Sequence, residues 1–241
     1  MWEWLLTSID PSRAHDVGFE VSMHGRLMVL GWSFLVPIGI LSARFFKIMP
    51  RQQWPQKRDN QFWWFTHLTM QYTAGVLMLM AIWLIWPISG KYENSFLHHL
   101  MGWTTVTLCS VQYLAGWLRG TKGGPTELAK TGTIRGDHFD MTPRRKAFEY
   151  IHKTAGYVCL TAAIIAVFSG MWMTNAPNWM WIILIAWWVF IIALFFNLQR
   201  TIGAIETYEA IWGDDPTLPG NQLKPIGLGT KRRNGSPSAN R

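Results

Sequence analysis

Charge is scarce in this chain: of 241 residues, 15% are Asp, Glu, Lys or Arg, well below the share a soluble domain carries. Cysteine is nearly absent. Cys109 and Cys159 lie in separate apolar runs, which argues against a disulfide framework and against a zinc or iron–sulfur centre built on thiolates. Both read as small packing residues. There is no nucleophile elbow, no phosphate-cradling glycine loop and no acid–base pair in the apolar runs, since Asp137, Asp140 and Glu149 lie outside their cores. Hydrolytic and phosphoryl-transfer chemistries are therefore not expected. The first residues lack a basic stretch followed by a long apolar run, so no cleaved signal peptide is expected.

What is abundant is apolar and aromatic. The chain is 49% hydrophobic, with 16 Trp and 13 Phe. Crossing the hydrocarbon takes about 20 mostly apolar residues, and five segments qualify: Leu27 to Phe46, Phe62 to Ile88, Leu97 to Leu118, Phe148 to Met173 and Trp179 to Phe196. Lipid offers backbone groups no partner, so these runs are expected as helices. The fold class is an all-α integral membrane bundle of five transmembrane helices. Residues 1–22 form an N-terminal interfacial segment led by "WEWLL", 23–200 the membrane domain, and 201–241 a tail.

The net charge of +8 comes from basic residues lying between apolar runs, the signature of membrane loops and not of a nucleic-acid face. Arg44, Lys47, Arg51, Lys57 and Arg58 crowd the first connection. Arg119, Lys122, Lys130, Arg135, Arg144, Arg145 and Lys146 crowd the third. The tail adds six more, whereas the opposite side has only Arg13, Arg26 and Lys91. This places the N-terminus outside and the C-terminus in the cytoplasm, with a bacterial inner membrane as the expected location. The Pro-, Gly- and Asn-rich tail is expected to be largely disordered after a short helical stretch around "TIGAIETYEAIW". The stretch "TKGGPTELAKTG" in the third connection reads as an irregular loop.

Ionisable residues at membrane depth mark function, and each of the first four spans opens on a histidine: His24, His67, His98 or His99, and His152. Chain direction alternates across the membrane. His24 can therefore face His98 or His99 in an outer layer while His67 faces His152 in an inner one, roughly 20–25 Å away at ~1.5 Å per helical residue. A single histidine at a helix end is ordinarily an interfacial residue. Four in mutually compatible layers suit two stacked metal cofactors. Two imidazoles make a poor zinc site but fill both axial positions of a haem iron.

Mostly small residues follow each histidine along its helix face: Gly31 after His24, Gln71 and Ala74 after His67, Gly102 and Thr105 after His98, Gly156 and Cys159 after His152. They leave room for a flat macrocycle, or alternatively for close helix packing. His99 is the weaker alternative to His98, because Trp103 and Val106 share its face. His15 and His138 sit in polar stretches and are expected to be solvated. Arg44, Lys47 and Lys153 beside the inner layer suit an anionic donor, and Arg26 with Lys91 an outer acceptor, although membrane-loop anchoring accounts for such charges equally well.

These residues resemble the eukaryotic-type cytochrome b561 family, in particular the membrane core found attached to DOMON domains. The first span carries the resemblance best, in His24-Gly25, Leu27, Trp32, Pro37, Gly39 and "ARFFK". "HLTMQ" from His67, "HHLMG" from His98 and "HKTAGY" from His152 are shorter matches, and the resemblance covers roughly residues 22–175. It implies two b-type haems, one on His24 and His98 and one on His67 and His152. It also implies electron transfer from a cytoplasmic donor such as ascorbate to monodehydroascorbate or ferric iron outside. The chain shows no DOMON domain and five spans where many relatives have six, which leaves a quinol or protein donor open. The runner-up is a haem subunit relaying electrons between quinol and a partner redox protein, and a third reading is a haem-free scaffold or metal transporter. Lipid and a small redox partner are expected, nucleic acid is not, and a homodimer is compatible with such a bundle.

Overall fold

The computed structural model describes residues 2–91, 95–123 and 135–233. It is all-α, of the membrane helical-bundle class, with a single two-stranded sheet among the described residues. After a short helix α1 (Trp2–Leu6), α2 (Phe19–Met28) runs through a wider π-helical stretch, Val29–Leu35, into α3 (Val36–Phe45). Then come α4 (Phe62–Ile85), α5 (Phe96–Trp117), the single turn α6 (Asp137–Asp140), α7 (Pro143–Met173) and α8 (Asn178–Thr201).

Four of these helical segments are long and apolar enough to cross a membrane: Phe19–Phe45, Phe62–Ile88, Pro143–Met173 and Asn178–Thr201. Their outward faces are apolar, as with Ile182, Ile183, Ile185, Val189, Phe190 and Ile192 on α8. That is the reverse of a soluble helix and suits lipid. The expected third span, α5, has the length at 22 residues but not the same apolarity. Its threonines are partly self-satisfied: the hydroxyls of Thr104 and Thr105 donate to the carbonyls of Leu100 and Met101, one turn back (2.7 and 2.8 Å), which lessens the cost of a hydroxyl in lipid.

The long helices each contribute to two compact units. The first comprises residues 1–39, 68–109 and 158–197. Its local geometry is set by Pro37, which has no N–H to give to the carbonyl of Ser33 one turn earlier. The indole of Trp187 donates to that carbonyl instead (2.6 Å), and the Trp187 ring stacks on Phe34 at 4.6 Å. Gly39 permits a close helix approach, since a Cβ there would stand 2.6 Å from Nε2 of Gln71 and 3.1 Å from Cβ of Met70. At one end, buried Asn175 ties the N-terminal segment down by donating to the carbonyls of Asp10 (3.0 Å) and Arg13 (2.6 Å).

The second unit comprises residues 40–67, 110–157 and 198–241. Its core gathers Trp63, Met141, Tyr208, Ile211, Trp212 and Ile226. Here the structure corrects the expectation of a largely disordered tail. Residues 204–233 are folded, through β1 (Ala204–Ile205), α9 (Thr207–Trp212) and β2 (Thr230–Lys231), with β1 and β2 paired in parallel. Every residue of α9 is buried, because Tyr208, Ile211 and Trp212 complete an apolar cluster that Trp63 and Met141 cannot close alone. Residues 234–241 and 124–134, where most of the expected irregular loop falls, lie outside the described residues.

Candidate functional site

The histidines at the starts of the long helices fall into one pair in each unit. In the first unit, the His24 and His98 ring centroids are 6.1 Å apart with the planes at 73°. In the second, His67 and His152 are also 6.1 Å apart, at 81°. An imidazole nitrogen binds a first-row metal at ~2 Å, so two rings bound end-on to one ion have centroids about 6 Å apart. Both pairs meet that requirement. Among the described residues no cluster of three or more His, Cys, Asp or Glu could hold a bare metal ion. A pair without a third protein ligand suits an ion whose other positions a macrocycle fills.

The tautomer of the first pair is fixed by main chain. Nδ1–H of His24 donates to the carbonyl of Ala81 (3.0 Å), and Nδ1–H of His98 donates to that of Ala166 (2.8 Å). In each ring this leaves the Nε2 lone pair for a metal, the arrangement typical of ligating histidines. Gly170 lets α7 approach His98 closely: a Cβ there would lie 3.0 Å from Cε1 of that ring. In the second pair, the His152 ring stacks on Phe148, one turn earlier, at 5.0 Å and 24°. Gln112 donates to the His152 carbonyl (3.0 Å).

The small residues expected to make room behave differently from one another. A Cβ on Gly102, one turn after His98, would meet nothing within 4 Å, as a slot for a flat ligand requires. Gly31 packs against Ala74 at ordinary contact distance, and Gly156 faces the amide of Gln112 at 3.3 Å. Gln71 falls in the first unit, where its amide donates to the Val36 carbonyl (3.3 Å). It thus braces the helix beside Pro37. His99 pairs with Ser95, whose hydroxyl lies 3.1 and 3.0 Å from its two ring nitrogens.

The basic residues singled out for an anionic donor are already engaged. Arg44 donates to the hydroxyl of Tyr157, to Oε1 of Gln199 and to the Leu228 carbonyl, each at 2.8 Å. Lys47 is buried and donates to the Ile205 carbonyl (2.9 Å); burial pushes its ammonium down to about 8, with the Lys153 charge adding to the effect. Lys153 donates to the Ile226 carbonyl (2.7 Å) and pairs with Glu149 at 2.6 Å. Arg26 is exposed.

His138 departs from expectation. It is buried at 2% exposure, packed against Tyr208 and Trp212 with centroids 5.6 and 5.9 Å away. Burial holds its imidazole down to about 3. Sequence reasoning missed the carbonyls of Ala81 and Ala166, which no side-chain pattern can reveal. It also missed Gly170, whose spacing from His98 is visible only in the fold.

The family model described as eukaryotic cytochrome b561 matches residues 23–126, a stretch that includes His24, His67 and His98 but ends before His152. A cytochrome b561, DM13 and DOMON domain-containing protein of Arabidopsis thaliana is 27% identical over 168 residues, covering 69% of this chain and 16% of the relative. Ferric-chelate reductase 1 of Bos taurus is 26% identical over 153 residues, 63% of this chain and 22% of the relative. A second Arabidopsis protein, with cytochrome b561 and DOMON domains, is 21% identical over 192 residues, 77% of this chain and 41% of the relative. The chain thus spans less than half of the length of each of these relatives. They are eukaryotic, so a bacterial inner membrane gains no support from them. No solved structure matches significantly.

Proposed function

We propose that the chain is a member of the cytochrome b561 family, whose model matches residues 23–126, and that it carries electrons across a membrane through two b-type haems. One haem is held by His24 and His98 and the other by His67 and His152. The observation that carries this reading is the equal 6.1 Å spacing of the two histidine pairs, which accommodates one iron between each. The five-span topology, with the N-terminus outside and the C-terminus in the cytoplasm, belongs to the same proposal.

Each bound haem would supply a one-electron ferric–ferrous couple. The residues of this chain do the rest. His24 and His98, each donating Nδ1–H to a main-chain carbonyl, present their Nε2 atoms at fixed orientation, and that hydrogen bond raises ligand basicity. Phe148 holds the plane of His152 by stacking. Gly102 leaves space beside His98.

Ferric-chelate reduction, which the names of several relatives state, is one terminal reaction for electrons delivered outside. A second reading is a relay between membrane quinol and a partner redox protein. It is favoured by one observation: Arg44, Lys47 and Lys153, the cations suited to a soluble anionic donor, already bind protein oxygens.

A reduced-minus-oxidised absorption spectrum with haem quantitation tests the core of the proposal. Sharp reduced bands of a bis-histidine b-type haem and two haems per chain are expected, and a protein purified without haem bands refutes it. Vesicles holding enclosed ascorbate or carrying a membrane quinol then separate the two donors.

A further inference from the structure

The segment after α8 returns to the second unit and covers the residues next to the His67–His152 pair. Trp63, one turn before His67, packs in one cluster with Tyr208, Ile211, Trp212 and Ile226 of this segment. Lys153, adjacent to His152, donates to the Ile226 carbonyl at 2.7 Å. Three further basic residues of the unit do the same: Lys47 to the Ile205 carbonyl (2.9 Å), Arg44 to that of Leu228 (2.8 Å) and Arg58 to that of Trp212 (2.6 Å). The segment also brings its own carboxylate. Oε1 of Glu206 lies 4.0 Å from Nζ of Lys153, while its other oxygen caps α9 by accepting from the amide of Glu209 (3.2 Å). Four cations drawn from three stretches of chain therefore converge on oxygens of one segment, and one of those oxygens is anionic. Cations placed this way are a ready site for a small anion, and here protein oxygens take the anion's place.

We propose that residues 204–233 are a built-in cap that occupies the cationic donor face of the His67–His152 site, so that a small anionic reductant gains access only when the cap is displaced. The inference rests on the haem assignment above and adds the regulation of that site. It assigns the carbonyls of Ile205, Ile226 and Leu228, together with Glu206, the role of an internal competitor. The cap is held together internally at Gly220, where any Cβ would collide with the Tyr208 ring of the same segment, and is seated by Ile226, buried at 3% exposure in the cluster with Trp63 and Met141. Gly220→Val and Ile226→Asp should each unseat it in the full-length chain.

The test is stopped-flow reduction of the purified full-length protein by ascorbate. In that reaction ascorbate gives one electron to the ferric haem, releases one proton to solvent and leaves as monodehydroascorbate. Dithionite, applied separately, counts the reducible haem. The wild type should react slowly, and either variant at least about tenfold faster, with the gain falling as salt rises, since cations released from the cap's carbonyls steer anions, Lys153 alone keeping its pairing with Glu149. Equal ascorbate rates in wild type and both variants, with all haem retained, overturn the cap. Loss of the His67–His152 haem from both variants also overturns it, because the segment is then a wall of the haem site and not a gate. A wild-type protein with no dithionite-reducible haem is a different failure, that of the haem assignment itself, visible before any variant is made.

Discussion

Replacing Gly102 by leucine separates a haem slot from a lipid-facing notch, because the two readings predict effects of opposite sign. A Cβ at this position meets no protein atom within 4 Å, so the polypeptide alone presents no clash. Removing a helix-interior glycine should then stabilise α5 by up to about 1 kcal/mol. If a macrocycle bound by His98 lies alongside, the leucine competes for its space, and overpacking of that kind costs ~1–3 kcal/mol. At about 1.4 kcal/mol per decade, this is roughly 5- to 150-fold in haem affinity. The assay is a haem-to-protein ratio by pyridine haemochrome after extended washing, beside a thermal melt. Gly102→Leu should lose one of two haems, and the spectrum that remains should be that of the His67–His152 site. A variant with full haem content and a raised melting temperature would refute the placement of the macrocycle beside His98.

Further outcomes follow from the same geometry. His67→Ala and His152→Ala should each remove one and the same haem, and His24→Ala and His98→Ala the other, by haem quantitation, while His99→Ala, whose ring bonds Ser95, should keep both. Trp187→Phe leaves the Ser33 carbonyl without its indole donor and should cost ~1–3 kcal/mol, read as a lowered melting temperature with haem content intact. Gly39→Leu drives a side chain into Gln71 and Met70 and should destabilise by a further ~1–3 kcal/mol. His138 is held neutral by burial, with its pKa brought down from 6.5 to about 3. A depressed folded-state pKa means its contribution is complete above pH 6.5 and is lost as pH falls from there toward 3. Melts from pH 7 to pH 5 should show this loss, and His138→Phe should flatten it.

Much of the architecture was legible because lipid imposes simple rules. Span length and apolarity located all five long helices to within a few residues, apart from the N-terminal extensions of α2 and α7. Histidine placement at helix starts anticipated which rings meet, since alternating chain direction leaves few pairings. The tail was misread for a physical reason. Residues 213–233 are punctuated by Gly and Pro, and what orders the segment, besides the apolar cluster around Tyr208 and Trp212, is a set of distant donors (Arg44, Lys47, Arg58 and Lys153) acting on backbone oxygens. A carbonyl has no sequence signature. The same blindness hid the partners of Arg44 and Lys47, which composition alone presents as free cations. It also hid the bond from Gln71 to the backbone beside Pro37. His138 looked solvated because its neighbours in sequence are polar, while its neighbours in space, Tyr208 and Trp212, arrive from the tail.

The acceptors behind His24 and His98 are main-chain oxygens of helix residues, Ala81 and Ala166. An aspartate in that role could be exchanged by one codon change, and the basicity of the ligand would shift with it. A peptide oxygen persists under every substitution that keeps the helix. Evolutionary drift therefore has little purchase on the electronic character of this histidine pair. Divergence in redox potential among related chains should concentrate instead on the His67–His152 site, where His152 leans on the exchangeable ring of Phe148.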